Sequence, residues 1–172
     1  MNNLVSQISK LNDRAQILNR TMVYISGFGL TFMTVMIVVD VFLRFVFNAP
    51  LKATVEMSEL IEPYVVFLPF AYTLAKGRHV RVTLITSRLS KTPRIFSEIL
   101  VYIIDVIFFA LLCCYSLLEF WHSFKVGEIM LAPIKLPWWV GKFSMPLGMF
   151  VIIIQCILLL LLILSKINET KG

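Results

Sequence analysis

Long apolar runs without charge dominate this chain. No Asp, Glu, Lys or Arg occurs over 21–39 or over 143–165, runs of 19 and 23 residues. At a rise of about 1.5 Å per residue, each can cross a hydrocarbon core of roughly 30 Å. Two further apolar segments, about 55–75 and 95–121, are interrupted only by isolated carboxylates. The pattern predicts an all-α membrane protein with four transmembrane helices, over about 22–45, 55–75, 95–121 and 138–164, in a single membrane domain covering 1–172. Turn signals separate them: Asn48-Ala49-Pro50 after the first, Lys76-Gly77-Arg78 after the second, and Gly127, Pro133 and Pro137 between the third and fourth. Ahead of the first span, Leu4, Ile8, Leu11, Ala15 and Leu18 recur at helical spacing, with Lys10, Asp13, Arg14 and Gln16 on other faces. Residues 2–19 are therefore expected to form an interfacial amphipathic helix lying on the membrane. The first apolar run is too long for the core of a cleavable signal peptide, so this segment is read as retained.

Charge placement orients the spans. Eleven basic residues lie in 1–20, 76–94 and the tail after 164, against four (Lys52, Lys125, Lys135 and Lys142) on the opposite side. That asymmetry puts both termini in the cytoplasm and brings Trp121, Trp138 and Trp139 to the outer interface, where indoles prefer to sit. The composition agrees: 59% of residues are hydrophobic and 15% charged, far from a soluble domain. No stretch between spans reaches the roughly 50 residues of an independent domain, so a nucleotide-binding or other soluble catalytic fold is excluded and no enzyme activity is expected. The net charge of +6 flanks apolar spans, which points to phospholipid rather than nucleic acid.

Charged groups at membrane depth are the next signal. Asp40 and Arg44 stand four apart near the outer end of the first span, and across the Asn48–Pro50 turn Arg44 comes level with Glu56. An Asp40–Arg44–Glu56 cluster is expected to staple this hairpin. Glu59, Glu62 and Asp105 fall deeper. Thirteen uncharged residues separate Glu62 from Lys76, about 20 Å of helix. An ionised group there costs about 2.5–3.5 kcal/mol and is kept where it faces protein or water. A proton or cation relay would need a continuous polar file, and the surrounding positions are mostly Leu, Ile, Val and Phe. The preferred reading is a contact with a neighbouring helix, in this chain or another.

Little else carries chemistry. Cys113, Cys114 and Cys156 sit in apolar segments as small hydrophobes, and His79 and His122 are 43 positions apart, so no metal site or cofactor in this chain is expected. Both histidines map to interfaces, which argues against helical haem ligation. Pro63, Pro69 and Pro146 occur within spans, but no internal repeat accompanies them and no helix broken at mid-membrane is predicted, so the chain lacks the usual carrier site.

Three stretches are more particular: DVFLRFVFNAPLKATVEMSE (40–59), AKGRHVRVTLI (75–85) and LPWWVGKFSMPLG (136–148). Together they resemble the small membrane subunit of tripartite ATP-independent periplasmic (TRAP) transporters. Asp40, Arg44, Phe47, Asn48, Pro50, Glu56 and Glu59 fit that family's Asp-x-x-x-Arg, Phe-Asn-x-Pro and acidic helix start. Gly77, His79, Val80, Arg81 and Val82 fit its Gly-x-His-(Ile/Val)-Arg-Val run, and Leu136, Pro137 and Trp139 its Leu-Pro-x-Trp. Lys52-Ala53 and Thr83 depart from the family pattern. The resemblance implies a non-catalytic scaffold in a sodium-driven uptake system for a carboxylated solute, of the C4-dicarboxylate or sialic acid class. Its partners would be a large elevator-type membrane subunit, which holds the sodium sites, and a periplasmic substrate-binding protein. On this reading Glu59, Glu62 and Asp105 face the large subunit. Lys52, Lys125, Glu128 and Lys135 meet the binding protein, and Arg78, His79, Arg81 and Arg88 anchor to headgroups. The alternative is a self-sufficient four-helix channel or proton-coupled carrier.

Overall fold

A computed structural model describes residues 2–76, 91–130 and 135–171. Five helices account for nearly all of them: α1 (Asn2–Phe47), α2 (Thr54–Phe67), α3 (Phe70–Ala75), α4 (Lys91–Val126) and α5 (Trp138–Lys171). Three contain stretches long and apolar enough to cross a membrane: Gln7–Phe47, Ile95–Val126 and Trp138–Ser165. Among the described residues there is no strand, only an isolated antiparallel bridge between Ile129 and Pro137. The helices pack around α5, which contacts all four others, while α1 also packs on α2 and α3.

Two expectations are corrected here. The segment 2–19 and the first span form one helix of 46 residues. Nothing in the sequence breaks it, since no Gly or Pro precedes Gly27. At roughly 69 Å it is more than twice the hydrocarbon thickness, so much of it must lie outside the apolar zone. The second expected span is interrupted instead of continuous. Leu68 and Pro69 keep right-handed dihedrals (φ −64°, ψ −39° and φ −78°, ψ −8°), but the helix is divided into α2 and α3 around them. Proline has no N–H to give to the carbonyl four residues back. That carbonyl, on Val65, accepts instead from the Ser26 hydroxyl of α1 at 2.7 Å. The break is thus repaired from a neighbouring helix, as apolar surroundings require.

The internal face of α1 is polar. Its buried side chains are Asn12, Asn19, Ser26 and Asp40, positions spaced by seven or a multiple of seven. Residues seven apart return to nearly the same face after two turns, so they form one stripe. Leu11, Ile17, Leu18, Phe28, Val35 and Phe42 point outward. Leu11 and Leu18 therefore do not mark the packed face; the asparagines do. Asn19 Nδ2 donates to Gln155 Oε1 of α5 at 2.8 Å, and Gln155 Nε2 donates to Asn12 Oδ1 at 3.1 Å. One glutamine so joins two turns of α1 to the middle of α5. On α4 the buried positions Tyr102, Phe109, Ser116 and Ser123 repeat the seven-residue spacing. Tyr102 and Phe109 meet Met149, Ile152 and Cys156 of α5 in the main apolar core.

Close approach depends on small residues. A Cβ on Gly148 of α5 would lie 2.8 Å from both the Cβ and the carbonyl oxygen of Phe67 on α2. Gly148→Ala is therefore expected to push α2 from α5 and destabilise the bundle by about 1–3 kcal/mol. Thermal unfolding in detergent should show it, with little change for Gly27→Ala, where nothing lies within 4 Å. Gln155→Leu should cost about 1–3 kcal/mol by orphaning Asn12 and Asn19. Replacing all three residues by Leu should recover part of that loss in the same assay, because no unpaired polar group then remains.

Candidate functional site

One end of the bundle begins at the hairpin between α1 and α2. Asn48 adopts the left-handed region (φ 53°), which asparagine tolerates well, and ends α1. Asp40, 5% exposed, holds the turn from below. Its Oδ2 accepts from Arg44 Nη2 at 2.8 Å, and its Oδ1 accepts from the backbone N–H of Leu51 at 2.7 Å. Asp40 and Arg44 thus meet as expected, but Glu56 is not in ion-pairing range of Arg44, and the carboxylate of Asp40 ties down backbone instead. Glu56 and Glu59 line a hollow of about 440 Å³ with Glu128 and Trp138. A second hollow of about 250 Å³ lies between α2, α4 and α5, lined by Glu59, Pro63, Ser116, Glu119, Gly141 and Lys142 among others.

Lys142 is the cation of this acidic end. Its Nζ donates to Glu128 Oε2 at 2.8 Å and lies 4.0 Å from Glu119 Oε2. The connector carrying Glu128 is closed on itself: Glu128 N–H donates to the Ser123 carbonyl at 3.0 Å, and Trp138 N–H donates to the Glu128 carbonyl at 2.9 Å. Beside it Phe120, Phe124, Trp139 and Phe143 form an aromatic cluster, with Phe124 and Trp139 edge to face at 5.3 Å. Lys125 lies 5.4 Å over the ring of Trp121. Of the four residues expected to meet a binding protein, Lys52, Lys125 and Lys135 are exposed and Glu128 is engaged with Lys142.

The deeper carboxylates divide. On α2 the exposed positions Val55, Glu59, Glu62 and Val66 form a single stripe. Glu59 and Glu62 therefore share an outward face. Asp105 is half-buried on α4, within electrostatic range of the buried Cys156 thiol of α5. It belongs to the seam between α4 and α5 rather than to that face. Arg78, His79, Arg81 and Arg88, expected to anchor headgroups, lie outside the described residues. Among the described residues no group of three or more His, Cys, Asp or Glu side chains could hold a metal ion.

The fold and this end of the bundle describe a multi-pass helical membrane protein whose polar side chains mostly bind its own helices and whose surface keeps a stripe of acids. The particular family follows from comparison. Residues 33–166 match the family of tripartite ATP-independent periplasmic transporters, DctQ component. The chain belongs to this family, and so is a small membrane component of a TRAP transporter of the inner membrane. It is also similar to a protein of Haemophilus influenzae named as a TRAP transporter small permease protein, with 30% identity over 107 residues. That match covers 62% of this chain and 63% of the relative.

Three features of the site were missed in the sequence. The engagement of Glu128 with Lys142 had no signal, being fixed by the closed connector. The polar stripe of α1 had one, the spacing of 12, 19, 26 and 40 within an otherwise apolar helix. The capping of Val65 by Ser26 could be sought only once α1 and α2 were known to touch.

The Lys142 ammonium holds the Glu128 carboxyl below the ordinary carboxylate range. Because the folded value is depressed, the contact is complete above that range and is lost as pH falls through the lowered value. A carbon-13 NMR titration of Glu128 should give a midpoint below about 4.3 in the native chain, and Lys142→Met should move it upward toward that value.

Proposed function

We propose that this chain is the fixed, non-catalytic small subunit of a sodium-driven TRAP transporter for a carboxylated solute of the C4-dicarboxylate or sialic acid class. It crosses the membrane four times, α2 and α3 together forming the second crossing of roughly 33 Å, with both termini in the cytoplasm. The sodium and substrate sites belong to a large elevator-type subunit. One observation carries the scaffold reading: Glu59 and Glu62 stand on the outward stripe of α2, between Val55 and Val66. Facing lipid, an ionised carboxylate at that depth costs about 2.5–3.5 kcal/mol. A polar or cationic partner from a second polypeptide removes that cost, so the stripe is the face that meets the large subunit. The exposed Lys52, Lys125 and Lys135 at the outer end supply a cationic rim for the periplasmic binding protein. Family membership and the name of the Haemophilus relative support the assembly.

The competing reading, a self-sufficient channel or proton carrier, needs polar groups free to conduct. The stripe of α1 is instead committed to contacts within the bundle: Asn12 and Asn19 to Gln155, Ser26 to Val65 and Asp40 to Leu51.

Co-purification with an affinity-tagged large subunit tests the proposal. Glu59→Ala and Glu62→Ala are expected to lose most of the complex and of solute uptake in cells, while the chain alone stays folded. Normal assembly and uptake by both variants would falsify the interface. Solute flux through vesicles holding this chain alone would overturn the scaffold role.

A further inference from the structure

At the opposite end of the bundle, α1 and α3 enclose a cleft of about 520 Å³ with a different chemistry. Its polar wall is Asp13, Gln16, Arg20, Tyr24, Tyr72 and Lys76. Two cations point into it, each set by an aromatic ring. Arg20 Nε and Nη2 donate to the Tyr24 hydroxyl at 3.1 and 3.0 Å, with the guanidinium 5.6 Å from the ring centre. Lys76 Nζ lies 5.7 Å over Tyr72. Among the described residues, neither cation is within ion-pairing distance of a carboxylate. Their remaining N–H groups are donors without an anion.

The position matters as much as the charge. Arg20 directly precedes the charge-free run 21–39, and Lys76 directly follows the charge-free run 63–75. Both therefore mark the rim of the hydrocarbon zone on one side, the level of lipid phosphates. Ile17 and Val23 give the same cleft an apolar wall, suited to a glycerol backbone and acyl chain. Asp13 stands about two turns, roughly 10 Å, beyond Arg20 toward the N-terminus. That is the direction in which a headgroup extends past its phosphate.

We propose that this cleft binds the phosphodiester of a phospholipid between Arg20 and Lys76, and that Asp13 selects a headgroup carrying an amine. The site depends on the membrane placement of α1 and α3, not on the subunit role, and it is separate from the outward stripe of α2.

The test uses the full chain, purified in mild detergent, stripped of lipid and offered palmitoyl-oleoyl phosphatidylethanolamine, palmitoyl-oleoyl phosphatidylglycerol or inorganic phosphate, with retention read by native mass spectrometry. The native chain should retain phosphatidylethanolamine in preference to phosphatidylglycerol. Arg20→Gln and Lys76→Gln should each weaken retention roughly tenfold, the scale of one charge-assisted hydrogen bond. Lys10→Gln, outside the cleft, should retain lipid as the native chain does. Arg20→Lys, which keeps the charge, should retain more than Arg20→Gln, separating lost binding from misfolding. Asp13→Asn should abolish the preference between the two lipids. Undiminished retention by the Arg20→Gln, Lys76→Gln double variant would overturn the site. Equal retention of both lipids by the native chain would overturn the role of Asp13. Binding of inorganic phosphate with no lipid held would overturn the lipid as ligand.

Discussion

In an apolar medium a polar group without a partner has nowhere to turn, and α1 is organised by that constraint. Among the described residues its fully buried side chains are polar and most of its large apolar ones are exposed, the reverse of a helix in a soluble domain. Between helices in lipid, apolar contact alone gives little preference for protein over acyl chain, so hydrogen bonds and close packing set the interface. Asn12 and Asn19 converge on Gln155, Ser26 on the freed carbonyl of Val65, and Asp40 on the turn at Leu51. Each contact fixes a different neighbour: α5, α2 and the hairpin. Sliding α1 along its axis would break all of them together.

The same constraint explains how Pro69 and three glycines are used. Pro69 separates α2 from α3, and the carbonyl it releases is satisfied from α1. Gly29, Gly141 and Gly148 each lie against side chains of α2, so α2 is wedged where it can touch α1 and α5 at once. Close packing of this kind leaves α2 little room to shift between its neighbours.

Against that economy, Glu59 and Glu62 stand out: both are exposed on α2, and among the described residues neither has an ion pair, although Glu59 also borders the hollow that Lys142 lines. Asp40 binds backbone, Glu128 binds Lys142, and Asp105 turns toward α5, whereas these two share an outward stripe. Among the described residues Asn12 and Asn19 each bond to Gln155, whereas Glu59 and Glu62 have no such contact.

Much of this was legible in the residues. Charge-free runs gave the long helices, because crossing length follows from composition. Asn48 and Pro50 marked the hairpin, and the i,i+4 spacing of Asp40 and Arg44 foretold their pairing. Other features needed the folded arrangement. Whether an apolar helix shows its leucines or its asparagines to its neighbours cannot be read from amphipathicity when lipid is as apolar as a protein core. The answer lay in Gln155, 143 residues from Asn12, and in the absence of any breaker that would have let 2–19 fold down onto the membrane. Likewise a Pro-freed carbonyl, an exposed Glu62 and an inward Asp105 are properties of what stands opposite each residue. Composition supplied the lengths of the rods; contacts between distant residues settled their facing.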